Sequence, residues 1–136
     1  MRLFKKIMTL LLICFPVMAA AITKQQPPVV YTEDKPVAVV TASNPVFSIK
    51  LKSNPTTGYS WYLRRYNTNV LQPVKHSFEP PENSKLLGAP GYEIWTFRVK
   101  PDGFKVPMQT KIRFVYARSW EINDQGKQLV FQVTTQ

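Results

Sequence analysis

Strict two-residue alternation, repeated in segment after segment and interrupted by turn residues, limits what this chain can become. Phe47, Ile49 and Leu51 share one side of a stretch whose other side is Ser48, Lys50 and Lys52. The same period recurs from residue 91 to 100, where Trp95, Phe97 and Val99 oppose Ile94, Thr96 and Arg98. It recurs again from 108 to 118, where Ile112, Phe114 and Tyr116 oppose Lys111 and Arg113. Side chains of an extended chain point alternately to opposite faces, so each stretch predicts a strand with one face on a core and one toward water. Weaker strand signals lie at 37 to 41, around Trp61 and Leu63, along an irregular run from about 70 to 78, and in a last segment holding Leu129, Phe131 and Val133. Ser43-Asn44-Pro45 and Pro101-Asp102-Gly103 are turn signals between them. No stretch has helical periodicity.

About seven short strands in one small domain predict an all-β fold, an antiparallel immunoglobulin-like β-sandwich. In that topology the loops after the second, fourth and sixth strands leave from the same end. Those three loops are the unusual ones. The first, Asn54-Pro55-Thr56-Thr57-Gly58, carries two hydroxyls at its tip and no charge; Pro55 fixes φ and Gly58 can take φ > 0 where the chain turns back. The second runs from Glu79 to Gly91 through Pro80-Pro81, Asn83, Gly88 and Pro90, too rich in breakers to be regular. The third holds Trp120 and leads through Asp124-Gln125-Gly126 to the last strand.

Residues 1 to 21 read as an export signal. Arg2, Lys5 and Lys6 precede an apolar run from 7 to 17 that ends in Ala19-Ala20-Ala21. The run is shorter than the roughly 20 apolar residues a membrane-spanning helix needs. Cleavage is therefore expected, with a secreted or periplasmic product and no membrane segment after signal removal. Cys14, the only cysteine, leaves with the signal, which excludes a disulfide or a cysteine nucleophile in the product. Residues 22 to 36, with Gln25-Gln26-Pro27-Pro28 and Glu33-Asp34, predict a flexible arm. Residues 37 to 136 are then one domain with a single core.

The formal charge is +10, and the three signal residues account for three of it, leaving +7. The cations are spread singly along strands, the pattern of a solvated face, and no nucleic-acid partner is expected. An enzyme is hard to assemble from one histidine, His76, and a few scattered carboxylates. No cofactor, metal or catalytic residue is expected. Binding is the indicated function. Trp120, after Arg118-Ser119, has the residue type of an interface anchor, whereas Trp61 and Trp95 lie in phase with apolar strand faces and predict core.

Three segments together are specific. Asn54-Pro55-Thr56-Thr57-Gly58-Tyr59-Ser60-Trp61 resembles the first binding loop of the chagasin family, which reads Asn-Pro-Thr-Thr-Gly, an aromatic, and a Trp two places on. Gly88-Ala89-Pro90-Gly91 before Trp95-Thr96-Phe97 is similar to the family's glycine-rich second loop and Trp-x-aromatic strand. Tyr116-Ala117-Arg118-Ser119-Trp120-Glu121 resembles its third, Tyr-x-Arg-Pro-Trp-Glu. Ser119 stands where the family has proline, and Ala89-Pro90 where it has glycine-rich sequence.

The resemblance implies an exported, reversible, competitive inhibitor of papain-like cysteine proteases that acts as a monomer. Asn54, Pro55, Thr56, Thr57, Gly58 and Tyr59 would enter the active-site cleft, with Gly88, Ala89, Pro90 and Gly91 on one side and Arg118, Ser119 and Trp120 on the other. The alternative is an exported immunoglobulin-like adhesion or assembly module whose basic surface holds an anionic envelope component.

Overall fold

The structure, a computed structural model, describes residues 21, 24 to 83, 85 to 123 and 125 to 136. The expected export signal, Ala21 apart, lies outside the described residues. Eight strands form among the described residues: β1 Val29–Thr32, β2 Val37–Val40, β3 Val46–Ser53, β4 Tyr59–Arg65, β5 Leu71–Glu79, β6 Gly91–Val99, β7 Met108–Arg118 and β8 Lys127–Thr135. They build two four-stranded sheets, in the orders β1-β3-β6-β5 and β2-β8-β7-β4. Between the sheets lies the core predicted from alternation. Phe47, Ile49 and Leu51 meet Phe97 and Val99 from one sheet, and Trp61, Ile112, Phe114, Phe131 and Val133 from the other, all buried. Phe47 stacks on Phe97 at 5.6 Å, and Phe114 meets Phe131 edge to face at 6.1 Å. Each such side chain contributes about 2 kcal/mol by leaving water, so the sandwich does not depend on its loops for a core.

Three expectations need correction. The strand count is eight, not seven, because the segment read as a flexible arm contains β1. Val29-Val30-Tyr31-Thr32 is a short β-forming run hidden between Pro27-Pro28 and Glu33-Asp34. It is fixed by contacts that local composition does not reveal: Tyr31 meets Phe47 edge to face at 6.2 Å. Its hydroxyl also donates to the Val39 carbonyl at 3.0 Å and accepts from the Val39 amide at 3.2 Å. Those bonds occupy β2, an edge strand whose free backbone groups would otherwise invite pairing. Second, the pairing is antiparallel throughout except at these two N-terminal strands, since β1 joins β3 and β2 joins β8 in parallel. Third, Ser48, read as facing water, is closed in, its hydroxyl 2.8 Å from that of Thr96. The face of β7 read from Lys111 and Arg113 also holds Val115 and Ala117, which are buried.

The irregular strand is as anticipated. Its register slips between Pro73 and Lys75, and β5 is a sheet edge, the place where a proline without an N–H is tolerated.

Pairing fixes where the loops leave. Ser53 at the end of β3 lies opposite Gly91 at the start of β6, and Glu79 at the end of β5 opposite Tyr92. In the other sheet Tyr59 opposite Arg118 brings the start of β4 to the end of β7. The β3–β4, β5–β6 and β7–β8 connections therefore emerge at one end, as the sequence reading expects.

Candidate functional site

Asn54 organises the first loop. Its backbone carbonyl accepts from the Thr57 amide at 3.2 Å and from the Thr57 hydroxyl at 2.6 Å. Its side-chain oxygen takes the Thr56 hydroxyl at 2.6 Å. The result is a single 3-10 turn over Pro55–Thr57, closed by Gly58 with φ of 79° and its amide on the Pro55 carbonyl. A Cβ at position 58 would meet no atom within 4 Å; the requirement for glycine is the left-handed backbone itself. Pro55, Thr56, Thr57 and Gly58 are exposed. Both threonine hydroxyls are committed to shaping the turn, which gives the tip a fixed form before anything binds it.

The same Asn54 ties this loop to its neighbours. Its side-chain amide donates to the Gly88 carbonyl of the second loop at 3.0 Å, and its backbone N–H donates to the Tyr116 hydroxyl on β7 at 3.0 Å. The second loop is a series of turns, with the Leu86 amide on the Asn83 carbonyl and the Ala89 amide on the Leu86 carbonyl. Between the two loops lies an open cavity of about 220 Å³, lined in part by Pro55, Thr56, Phe78, Leu86 and Ala89. Leu87 beside it is completely exposed, and Leu86 is 61% exposed. Of the second-loop residues named from the sequence, Gly88 and Pro90 are exposed and Ala89 half-buried. Gly91 is buried: a Cβ there would overlap the Glu79 carbonyl and the Phe78 ring, so it serves packing and presents no surface. The apolar pair Leu86-Leu87 was missed. Its signal was two adjacent leucines in a breaker-rich segment, outside any alternating strand.

On the other flank a graded stack runs from solvent to core. Trp120, 74% exposed, lies 5.9 Å from the Arg118 guanidinium, which sits 4.8 Å from the Tyr59 ring. Tyr59 meets Tyr116 at 5.4 Å, and Tyr116 meets the buried Trp61 at 4.9 Å. Cation–π and aromatic contacts of this kind hold an exposed ring without burying it. Arg118 is thus half-buried as a support, while Ser119 and Trp120 face solvent. Trp95 packs against the core cluster, and His76 stacks on it at 3.8 Å. Among the described residues no group of three or more His, Cys, Asp or Glu is placed to hold a metal.

An uncharged turn, a second loop with two exposed leucines and an exposed tryptophan thus stand side by side at one end of a sandwich. The sequence profile of the chagasin family of peptidase inhibitors, I42, matches residues 41–135. The chain belongs to the chagasin family. That family is described as one of peptidase inhibitors. The chain is 36% identical to chagasin of Trypanosoma cruzi over 76 residues, a match spanning 53% of this chain and 64% of that protein. In fold, the chagasin-family chain is similar to the crystal structure of the cysteine protease inhibitor EhICP2 from Entamoeba histolytica. The TM-score is 0.63 at 21% identity, covering 79% of this chain and 95% of that one. It is also similar to the solution structure of amebosin, with a TM-score of 0.61 at 23% identity over 82% of this chain and all of that one.

Proposed function

We propose that this chagasin-family protein is an exported, monomeric, reversible inhibitor of papain-like cysteine proteases. The observation that carries the reading is the preformed turn at Asn54–Gly58, exposed at its tip and flanked on both sides by further exposed loops. A papain-like protease works through a reactive thiolate paired with an imidazolium in an open cleft. The uncharged turn enters that cleft as a wedge: Thr56 and Thr57 lie against the thiolate, and Gly58 lets the backbone approach closely. The turn is closed by its own hydrogen bonds, so it is not an extended substrate, and the cleft is blocked without cleavage. Leu86 and Leu87 cover one rim of the cleft, and Trp120 packs on the other.

Three loops of this size fit a standard interface of about 1,600 Å² in total. The first loop is already closed by its own hydrogen bonds, so little ordering entropy opposes its association. Residues 1 to 21 act as the export signal in this reading, which brings the inhibitor to a compartment where such proteases are met.

The test is titration of residues 22 to 136 against papain and a cathepsin L-type protease at several concentrations of a small substrate. Competitive inhibition, with intact inhibitor recovered afterwards, is expected. Absence of inhibition at micromolar excess, or cleavage within residues 54 to 58, would refute the reading.

A further inference from the structure

Glu93 is the least expected residue in the molecule. It is 4% exposed and lies on the inward face of β6, in phase with Trp95, Phe97 and Val99. A buried carboxylate is costly unless its oxygens are satisfied, and here both are. Oε1 accepts from the Ser53 hydroxyl at 2.6 Å and from the Trp61 backbone N–H at 3.0 Å. His76 Nε2 lies 2.9 Å from Oε2, where its Nε2–H tautomer donates to the carboxylate. The His76 ring, stacked on Trp95, is held in place from its other side.

These partners define a geometry. Ser53 is the last residue of β3, immediately before the first loop, and Trp61 is the third residue of β4, just after it. β3 and β4 belong to different sheets, so no strand ladder sets the distance between the two stems of the first loop. Glu93 bridges both stems with one oxygen. Its other oxygen binds β5, and Glu93 itself lies two residues into β6; β5 and β6 are the strands from which the second loop springs. A second link, the Trp61 indole N–H to the Lys52 carbonyl at 2.9 Å, also joins the two stems of the first loop but does not reach β5 or β6.

We propose that Glu93 is a positioning residue: its carboxylate clasps the stems of the first and second loops together and so sets the spacing at which they meet one partner. The proposal rests on the inhibitory reading above. Charge-assisted hydrogen bonds are short and directional, which suits a clasp better than apolar packing would. Glutamine at this position keeps an oxygen for Ser53 and Trp61 and offers its amide to the other tautomer of His76; alanine keeps nothing.

The experiment compares Glu93→Ala, Glu93→Gln and Ser53→Ala with the parent domain, using inhibition of papain and amide hydrogen exchange of the free protein. Glu93→Ala should weaken inhibition at least tenfold, and Ser53→Ala two- to fivefold, while Glu93→Gln stays within threefold of the parent. Exchange should accelerate at Thr57, Gly58 and Trp61 and stay unchanged at Ile112 and Phe131. Parent-like inhibition by both alanine variants, or exchange raised evenly across the sandwich, would overturn the proposal. If Glu93→Ala does not fold, Ser53→Ala and Glu93→Gln carry the test with the same expected values. If the parent itself does not inhibit, the inhibitory reading fails, and the exchange data still decide whether Glu93 fixes the loop stems.

Discussion

The two ends of the sandwich are built in opposite ways. At the end away from the three loops, connections are short and stapled to one another. The Thr135 hydroxyl donates to the Gly103 carbonyl at 2.6 Å and accepts from the Met108 amide at 3.2 Å. Lys100 reaches across with its amide on the Val70 carbonyl and its ammonium on the Thr68 carbonyl, each at 2.7 Å. At the loop end, polar groups are used to shape individual loops, and large apolar side chains are left outside. Leu86, Leu87 and Trp120 are exposed there although the core between the sheets is closely packed. Apolar side chains are exposed elsewhere too, Val106 at the stapled end among them, but the three most exposed large ones among the described residues, Leu87, Trp120 and Leu86, all stand at the loop end, the end that the proposed reading takes as the working one.

That contrast can be broken by substitution. The largest effect is expected from Thr57→Arg, which would force an unpaired charge into the blocked cleft and weaken inhibition by about 3 kcal/mol. Thr57 is exposed and gives up only its hydroxyl bond to the Asn54 carbonyl, so stability should fall by no more than about 1 kcal/mol; a loss of stability equal to the loss of inhibition would make the turn a structural element only. Trp120→Ala should cost about 2 kcal/mol of binding, roughly 30-fold in the inhibition constant, with unfolding unaltered. At the opposite end the signs exchange. Thr135→Val strands the Gly103 carbonyl and the Met108 amide, and should lower stability by about 1.5 kcal/mol in denaturant titration with no change in inhibition. Leu87→Ser removes apolar area that only a partner buries, and should weaken inhibition by about 1 kcal/mol.

The smallest effect belongs to Asp102, exposed at the stapled end. A hydrogen bond from Lys105, 2.8 Å away, and the charge of that lysine hold its carboxyl below the usual range. A depressed carboxylate contributes stability above its unfolded pKa and loses it as pH falls through the folded value. Solvent screens an exposed pair of this kind, so Asp102→Asn should leave the acid limb of the unfolding curve unchanged within error. A measurable shift there would mean that the stapled end is more electrostatic than its geometry indicates.

How much of this was legible in the sequence depends on how far each feature reaches along the chain. The strands with strict period-two alternation were legible to within a residue, because core and solvent act on successive side chains locally. Met108–Arg118 was read with its observed bounds. β1 was not, since four residues between prolines and acids carry too weak a local signal, and Tyr31 is fixed by Val39 and Phe47, which are distant in sequence. The first loop was legible because Pro55 and Gly58 each have a backbone reason within it, whereas the bonds of the Asn54 side chain to the Thr56 hydroxyl and the Gly88 carbonyl show only in the fold. In the second loop, attention to glycines pointed to Gly91, which is buried, and away from Leu86 and Leu87, whose exposure is a property of the folded surface. Glu93 did leave a trace: an acid in phase with Trp95, Phe97 and Val99 is a charge on the core side of a strand. Its partners Ser53, Trp61 and His76 are 17 to 40 residues away, so only the fold shows why it is there.

The most direct test of a single working end is amide hydrogen exchange of the protein alone and with excess papain. Protection on binding should be confined to residues 54 to 60, 85 to 92 and 117 to 122, with residues 67 to 70 and 100 to 107 unchanged. Protection centred on the stapled end or on an outer sheet face, or no protection at a papain concentration that saturates inhibition, would contradict the account.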